Sequence, residues 1–180
     1  MTTKVVTGKV RLSYANLFVP VASRDNPGAE PKYSVSLLIP KSDTRTLAAI
    51  KAAQEFAIAA KWPKRPAKLA STLHDGDGVK EKTGEPYTEE CKGHWVMSVS
   101  SKVKPGVVDA NLQSVMDASE VRSGDYARVS INAYCYDTAG NRGVSFGLNN
   151  VQKLATGEAL GAGRTRAEDD FTAVEEDFLA

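Results

Sequence analysis

The stretch that decides the fold is DYARVSINAYCYD, residues 125–137, in which apolar and polar side chains alternate without interruption. One face carries small apolar side chains, namely Ala127, Val129, Ile131, Ala133 and Cys135. The other face carries aromatic, charged and hydrogen-bonding side chains, namely Tyr126, Arg128, Ser130, Asn132, Tyr134 and Tyr136. A period of two over this length predicts a β-strand with one face in a core and the other at the surface.

Four further stretches show the same period and predict strands at Lys4–Tyr14, Tyr33–Ile39, Trp95–Lys104 and Val144–Leu148. Their predicted inward faces include Val6, Val10 and Leu12 in the first, and Trp95, Met97, Val99 and Val103 in the third. The segment Asp137–Gly143 is rich in turn residues and predicts a hairpin between the last two strands. Half-buried strands of this kind are typical of an antiparallel sheet.

One helix is predicted at about residues 43–61, between the second and third strands. Ser42 or Asp43 can cap its start, and an apolar stripe recurs at helical spacing. It must end near Trp62, because Pro63 and Pro66 cannot continue a helix. The following residues, 63–93, predict a long loop insertion. These elements favour a mainly β fold, an OB-fold-like five-stranded antiparallel β-barrel with one main helix.

The charge of the chain is divided unevenly between its body and its end. The 180 residues include 23 Lys and Arg and 22 Asp and Glu, but residues 168–180 hold six of the acidic residues and none of the basic ones. Residues 1–167 therefore carry a net charge of +7. We predict a binding domain at 1–154, a flexible glycine-containing linker at 155–167 and a disordered acidic tail at 168–180. A cationic body attracts polyanions, of which nucleic acid is the commonest.

The tail permits two interpretations. A run of carboxylates can simply aid solubility, because like charges repel and cannot form a core. Exposed aromatic side chains favour a docking or gating role instead, in which an acidic segment with Phe near its end enters a basic pocket. The residues predicted for this partner-binding tail are Asp169, Asp170, Phe171, Glu175, Glu176, Asp177 and Phe178.

Basic and aromatic residues predict a nucleic-acid-binding surface. Bases can stack on aromatic rings, at roughly 1–3 kcal/mol per stack, while cations contact phosphates. The predicted DNA-binding residues are Lys9, Arg11, Lys61, Trp62, Lys64, Arg65, Lys68, Lys102, Lys104, Tyr126, Arg128, Tyr134 and Tyr136. The alternative for each tyrosine is packing beneath the helix or the loop. Trp62 fits a core position as well as a binding position, and Trp95 fits the core better.

Catalytic and metal-binding signatures are scarce. The sequence lacks GxxxxGK[ST], HExxH and GxSxG motifs, and nothing places a nucleophile beside His74 or His94. Cys91 and His94 form one close pair, with His74 and Cys135 as further candidates, whereas structural zinc sites usually need two close pairs. We therefore predict a non-enzymatic protein without metal or cofactor, and free thiols at both cysteines. The absence of a long apolar run and of a signal peptide predicts a cytoplasmic protein without a membrane partner.

Four stretches carry a resemblance to a known family: Leu73–Asp77, Ser100–Asp109, Ser123–Tyr134 and Asn141–Gln152. With the acidic tail, they resemble single-stranded-DNA-binding proteins encoded by tailed bacteriophages, a family long carried as a domain of unknown function. The resemblance implies an OB-fold that binds single strands with little sequence preference. It also implies that the tail recruits replication or recombination proteins and competes with DNA. In this chain Leu179 and Ala180 follow Phe178, so the free carboxylate is not on Phe.

Two other functions remain compatible with the sequence. The same surface could accept RNA, which differs from DNA at the 2′-hydroxyl. Alternatively, the protein could be an interaction adaptor that works through its acidic tail and binds no polymer. An OB barrel can also pair through an edge strand or its helix, so a dimer is compatible with the pattern.

Overall fold

The computed structural model describes residues 2–22, 28–81, 83–138 and 140–160. In chain order the strands and the helix are β1 Lys4–Val6, β2 Val10–Val21, β3 Lys32–Pro40, α1 Thr44–Lys61, β4 Ala70–Ser71, β5 Leu73–Asp75, β6 His94–Ser101, β7 Gly106–Val108, β8 Tyr126–Thr138 and β9 Asn141–Ala155. The mainly β class and the single long helix of the described residues confirm the predicted fold class.

The helix begins and ends where its sequence signals indicate. Asp43 is the N-cap, and its carboxylate accepts hydrogen bonds from the Thr46 backbone N–H at 3.1 Å and the Thr46 hydroxyl at 2.6 Å. Trp62 is the C-cap and has extended backbone, which suits a residue that precedes a proline. The cap and the prolines thus set both ends of α1.

Five strands form a ring in the order β8–β2–β3–β6–β9 and back to β8. This order agrees with the predicted OB-like topology, because the first three strands are neighbours and the last two close the ring. Two junctions of the ring have few paired residues: β2 and β8 share two residue pairs, and β6 and β9 share one. The ring is therefore partly open, as is usual for OB-folds.

The sheet extends beyond the predicted five-stranded barrel. Within the described residues it contains nine strands, because β1, β4, β5 and β7 add to the five-strand ring. It is also not purely antiparallel, since β9 pairs in parallel with β4, β6 and β7. The insertion at 63–93 supplies β4 and β5, a bridge between Val79 and Pro86 and a 3-10 helix at Glu89–Cys91, so it is a structured segment.

Two predicted inward positions are exposed instead. The first predicted strand breaks at residues 7–9, where the Thr7 hydroxyl accepts a hydrogen bond from the Val129 N–H at 3.0 Å. This break changes the phase of the alternation, so Thr7 is 1% exposed while Val6 is 51% exposed. Val103 is also exposed because β6 already ends at Ser101.

The core fills the ring and the space beneath the helix. Its largest fully buried side chains include Phe146, Leu12, Leu37, Ile50, Met97 and Ile131. The inward row of β8 is buried from Ala127 to Ala133, and Cys135 packs against the core at the end of that row. Trp62 and Trp95 are both partly buried against this core, which agrees with the interpretation of each as a core residue.

The end of the described chain is attached to the barrel. The buried Asp125 carboxylate accepts hydrogen bonds from the N–H groups of Arg122 at 2.9 Å and Gly157 at 3.2 Å. The Leu160 N–H donates to the Ser123 carbonyl at 3.2 Å. Residues 155–160 of the predicted linker thus contact the fold, while residues 161–180, which include the whole predicted tail, lie outside the described residues.

Candidate nucleic-acid interface

A polar groove runs over the outer face of β3 and β6. Ser34 pairs with Ser100 and Ser36 with Ser98, so four hydroxyls line the two strands, and the Ser36 and Ser98 oxygens lie 3.0 Å apart. The cleft above them has a volume of about 620 Å³ and is also lined by Lys32 and Glu30. We call this surface, with Tyr14 at its side, the β3–β6 groove. Its hydroxyls can contact phosphate oxygens without distinguishing one base from another.

Tyr14 lies at an irregularity of β2 that aims its ring into the groove. The β2–β3 register shifts between Ser13 and Asn16, and Tyr14 has a φ of 48°, a left-handed conformation rare for a residue with a large side chain. Its side chain is 65% exposed although it is aromatic. Strained backbone that presents an exposed ring is a common feature of binding sites.

Residues 72–81 and 83–91 fold back over one end of the outer face of β3 and β6, and we call them the flap. β5 pairs with β6, so that His74 lies opposite Val96. Between the flap and the sheet is a pocket of about 240 Å³, the flap pocket, lined by Ser13, Tyr14, Ser36, Leu38, Thr72, His74, Lys80, Tyr87, Thr88, Cys91, Val96 and Ser98. Because it shares Tyr14, Ser36 and Ser98 with the β3–β6 groove, the pocket continues the groove.

An ion-pair cluster fixes the flap to the end of β3. The Lys41 ammonium lies 2.6 Å from carboxylate oxygens of both Asp75 and Asp77, and 5.1 Å from the centre of the Trp95 ring. Asp77 also accepts a hydrogen bond from the Gly93 N–H at 3.0 Å. Hydrogen bonds with Lys41 lower the pKa of both carboxyl groups and raise the pKa of the ammonium. All three groups are therefore charged near neutral pH.

Three of the predicted DNA-binding residues, Lys9, Arg11 and Tyr126, lie together. The Lys9 ammonium is 5.1 Å and the Arg11 guanidinium 5.8 Å from the centre of the Tyr126 ring. Arg11 also donates hydrogen bonds to the carbonyl groups of Gly124 at 3.1 Å and Glu158 at 2.7 Å. The Tyr126 ring packs closely against Gly157, and a Cβ atom at position 157 would lie only 3.0 Å from the ring. This ring is therefore partly covered rather than open for stacking.

The same row of side chains continues from this cluster to the flap pocket. Tyr126 pairs with Arg11, and Arg11 pairs with Leu38. Leu38 pairs with Val96, which pairs with His74. Directly paired residues share a face of the sheet. The cationic cluster and the flap pocket are thus neighbours on one surface.

A second surface, the β8–β9 face, lies on the outward side of the two longest strands. It contains a cleft of about 610 Å³ lined by Lys4, Ser101, Val103, Lys104, Ser130, Asn132, Leu148, Asn149 and Asn150. Arg128 lies beside it and donates a hydrogen bond to the Thr7 carbonyl at 3.3 Å. Tyr134 is 45% exposed, whereas Tyr136 lies over Gly143, where a Cβ would overlap its hydroxyl. Tyr134 is therefore the more open of these two rings.

The remaining predicted residues are dispersed. Lys61, Lys64, Arg65 and Lys68 are exposed at the end of α1, where Arg65 forms an ion pair with Glu55 at 2.5 Å. Trp62 packs against the core, so it offers only part of its surface. Lys102 forms an ion pair with Glu30 at 3.4 Å, and the Lys104 ammonium lies 5.5 Å from the centre of the Phe18 ring. The predicted set is thus spread over several clusters rather than one continuous surface.

Sequence reasoning missed most of the β3–β6 groove and the flap pocket. Tyr14, Lys32, Lys80 and Tyr87 were not among the predicted site residues, because they come from segments far apart in the chain. One signal was available: Leu38 interrupts the alternation of β3 with an apolar side chain on the polar face. An outward Leu indicates that another segment covers that end of the strand.

The residues considered for zinc do not form a metal cluster. Cys91, the last residue of the flap, is buried, which raises the pKa of its thiol, and Cys135 packs against the core. Within the described ranges, no three His, Cys, Asp or Glu side chains are grouped so as to hold a metal ion. No helix in that part of the chain is long and apolar enough to span a bilayer.

The chain matches known phage proteins along most of its length. The family model described as "Enterobacter phage Enc34, ssDNA-binding protein" matches residues 3–179. Protein p50 of Acyrthosiphon pisum secondary endosymbiont phage 1 is 33% identical over an alignment of 193 positions, gaps included, which covers 98% of this chain and 99% of p50.

Solved structures show the same fold. The single-stranded DNA-binding protein from bacteriophage Enc34 in complex with ssDNA has a TM-score of 0.76 at 25% identity, over 88% of this chain and 90% of that one. The single-stranded DNA-binding protein gp2.5 of bacteriophage T7 has a TM-score of 0.59 at 16% identity, over 91% and 97%, which indicates a shared fold alone. Since the family match covers nearly the whole sequence, the chain belongs to the family of the Enterobacter phage Enc34 ssDNA-binding protein.

Proposed function

We propose that this protein binds single-stranded DNA with little sequence preference and performs no catalysis. The observation that carries the proposal is the open, hydroxyl-lined β3–β6 groove, because OB-folds bind oligonucleotides on the face of their second and third strands. In this chain β3 and β6 are the second and third strands of the five-strand ring. The Enc34 protein, whose structure was solved with ssDNA, supports the same ligand class.

The DNA strand would lie along the β3–β6 groove. Serine hydroxyls and Lys32 would contact phosphates, and a base would stack on the exposed Tyr14 ring. Beyond the groove, the neighbouring cluster of Lys9, Arg11 and Tyr126 extends the proposed binding surface and adds two cations to it. None of these contacts reads the pattern of donors and acceptors on a base edge, which explains a tolerance for sequence.

The β8–β9 face would contact a flanking part of the same strand. Lys4, Lys104 and Arg128 supply charge there, amides supply hydrogen bonds, and Tyr134 supplies one stacking ring. The described residues that line its cleft include no Asp or Glu. We propose a more distant role for the cations at the end of α1 (Lys61, Lys64, Arg65 and Lys68), which attract DNA over the range set by ionic screening.

A binding titration over several salt concentrations tests this function. The anisotropy of a labelled oligothymidine should rise on addition of protein. The affinity should fall with added salt, by about 0.7 in log K per unit of log salt for each phosphate contacted. A matched RNA oligonucleotide serves as competitor and should displace the DNA poorly if groove contacts exclude the 2′-hydroxyl. Absence of binding at low salt, or an affinity independent of salt, would contradict the proposal.

We further propose a role for the acidic tail and a setting for the protein. The segment 168–180 would compete with DNA for the cationic surfaces and recruit replication or recombination proteins of the phage. The protein would act in the cytoplasm of the host cell, as a monomer or as a dimer formed through an edge strand. Pull-down of host-cell proteins by the full chain, compared with a chain that ends at Ala167, tests the recruiting role.

A further inference from the structure

The flap pocket has a composition unlike the groove that leads to it. Besides Ser36 and Ser98, which it shares with the groove, the pocket is lined by the apolar side chains of Leu38 and Val96 from the sheet and of Cys91 from the flap. Leu38 is only 1% exposed although it points outward from β3, because the flap covers it. Leu38 and Cys91 are both buried but lie outside the main core cluster. The flap thus creates a separate apolar site on the outer surface of the barrel.

The walls and rim of the pocket suit a flat aromatic ligand that carries a negative charge at one end. Tyr14 and Tyr87 both line it, and the Lys80 ammonium lies 5.8 Å from the centre of the Tyr87 ring. No Asp or Glu occurs among its described lining residues. The base of a nucleotide has two apolar π-faces and polar edges. The phosphate of the same nucleotide carries the negative charge that Lys80 would contact.

The wall also contains a hydroxyl that lacks a hydrogen-bond partner. Thr72 lines the pocket, and its side-chain oxygen is buried without a partner among the described residues. Buried polar groups in folded proteins are almost always hydrogen-bonded, and rotation of the Thr72 side chain toward the pocket would allow a ligand to supply the missing bond. The edge of a base can supply it as donor or acceptor.

The pocket is also pre-formed. Lys41 holds Asp75 and Asp77 of the flap at 2.6 Å each, and β5 is paired with β6 beneath them. A Cβ at the buried Gly76 would overlap the carbonyl groups of Cys91 and His94, so the turn of the flap fits closely against the segment that leads into β6. A site held in its binding shape loses less conformational entropy when the ligand enters.

We propose that the flap pocket receives one unpaired base, turned out of the strand that occupies the β3–β6 groove. The base would lie over Leu38 and Val96 with the Tyr87 ring against it, and Lys80 would contact the adjoining phosphate. This inference rests on the proposed function, since it concerns the same DNA strand. It adds one enclosed base position to a surface that otherwise contacts phosphates and exposed base faces.

Substitution of the Tyr87 ring tests the pocket in solution. Tyr87→Leu keeps an apolar side chain but removes the ring, and should weaken oligothymidine binding by about 5- to 140-fold, the equivalent of one lost stack. Tyr87→Phe keeps the ring and should bind like the natural protein. The matched control is Phe56→Leu on the exposed side of α1, which should leave affinity unchanged. Thermal unfolding of each variant shows whether the fold is retained.

Photo-crosslinking of the natural protein provides a test that needs no variant. An oligothymidine with 5-iododeoxyuridine, irradiated in the complex and mapped by peptide mass spectrometry, should give an adduct at Tyr87, which lines the pocket but not the groove. Failure of the natural protein to bind would overturn the proposed function and the pocket together. Normal binding with adducts mapped only to β8, or with undiminished affinity of Tyr87→Leu, would overturn the pocket alone.

Discussion

The β3–β6 groove and the β8–β9 face differ in how they could hold a DNA strand. The groove is concave and lined by hydroxyls, with the exposed Tyr14 beside it and few charges. The β8–β9 face has more cations and amides, from Lys4, Lys104 and Arg128 to Asn132, but Tyr136 is packed and Tyr134 is half open. Shape and stacking favour the groove, whereas long-range attraction favours the face.

The two surfaces therefore contribute differently to binding, although residue type alone does not distinguish them. Cations on an open surface raise the rate of encounter and respond strongly to salt. A groove with aligned hydroxyls and an accessible ring fixes the strand after encounter, at short range. We therefore expect substitutions in the groove to change affinity more than equivalent substitutions on the face.

A matched pair of charge insertions should give the largest effect. Ser98→Glu places a carboxylate in the middle of the groove, and Asn132→Glu places one on the β8–β9 face; both positions are exposed strand residues. Repulsion of phosphate at close range costs several kcal/mol, so Ser98→Glu should weaken binding by about 100-fold or more. Asn132→Glu should weaken it by less than about tenfold. Anisotropy titrations at one salt concentration measure both affinities. A larger loss for Asn132→Glu than for Ser98→Glu would indicate that the DNA strand lies mainly on the β8–β9 face.

The elements of the fold that could be predicted are those with local signals. The alternation of residues 125–137 and the cap at Asp43 depend on neighbouring residues only, and both predictions are confirmed. The break at Thr7 could not be predicted, because it depends on a hydrogen bond to Val129, a residue more than 100 positions away. Local periodicity thus predicts strands, but not where a distant contact interrupts them.

The candidate site was less predictable because it is assembled from distant segments. Tyr14 and Lys32 line the groove, and Tyr87 lines the flap pocket that continues it, only after the ring has formed and the flap has folded over it. Tyr126 illustrates the opposite situation. It has the sequence pattern of an open stacking residue, yet Gly157 from the predicted linker packs against its ring. Residue type indicates what a side chain can do, whereas exposure depends on tertiary contacts.

Removal of one tyrosine from each surface should give the next largest effect. Tyr14→Ala should weaken binding by about 5- to 140-fold, because one base loses its stacking partner. Tyr134→Ala should have an effect below about fivefold, since its ring is less exposed. Both variants keep a Cβ, so the left-handed backbone at position 14 costs the same before and after the change. Equal losses would indicate that both rings hold bases.

The ion pairs of the flap predict a pH dependence that affects the groove side alone. The pKa values of Asp75 and Asp77 are lowered in the folded state, so their stabilising contribution is present above the unfolded pKa of about 3.9. It is lost as pH falls through the lower folded values. The protection of the amides at 73–78 against hydrogen exchange, relative to their intrinsic exchange rates, should therefore fall below about pH 4, before the protection of β8 does. Lys41→Met should accelerate the same amides already at pH 6, and an unchanged exchange rate would show that other contacts hold the flap.

The acidic tail should produce the smallest effect, and it can report which surface it occupies. A chain that ends at Ala167 loses six carboxylates, so oligothymidine should bind a few-fold more tightly at low salt and equally at high salt, where charges are screened. If the tail competes with DNA at the β8–β9 face, truncation at Ala167 should no longer tighten oligothymidine binding in a chain that carries Asn132→Glu. The new carboxylate already repels the tail from that face. If it competes in the groove, the benefit should persist in Asn132→Glu and disappear in Ser98→Glu. Equal affinity of the full and truncated chains at every salt concentration would leave recruitment of other proteins as the role of the tail.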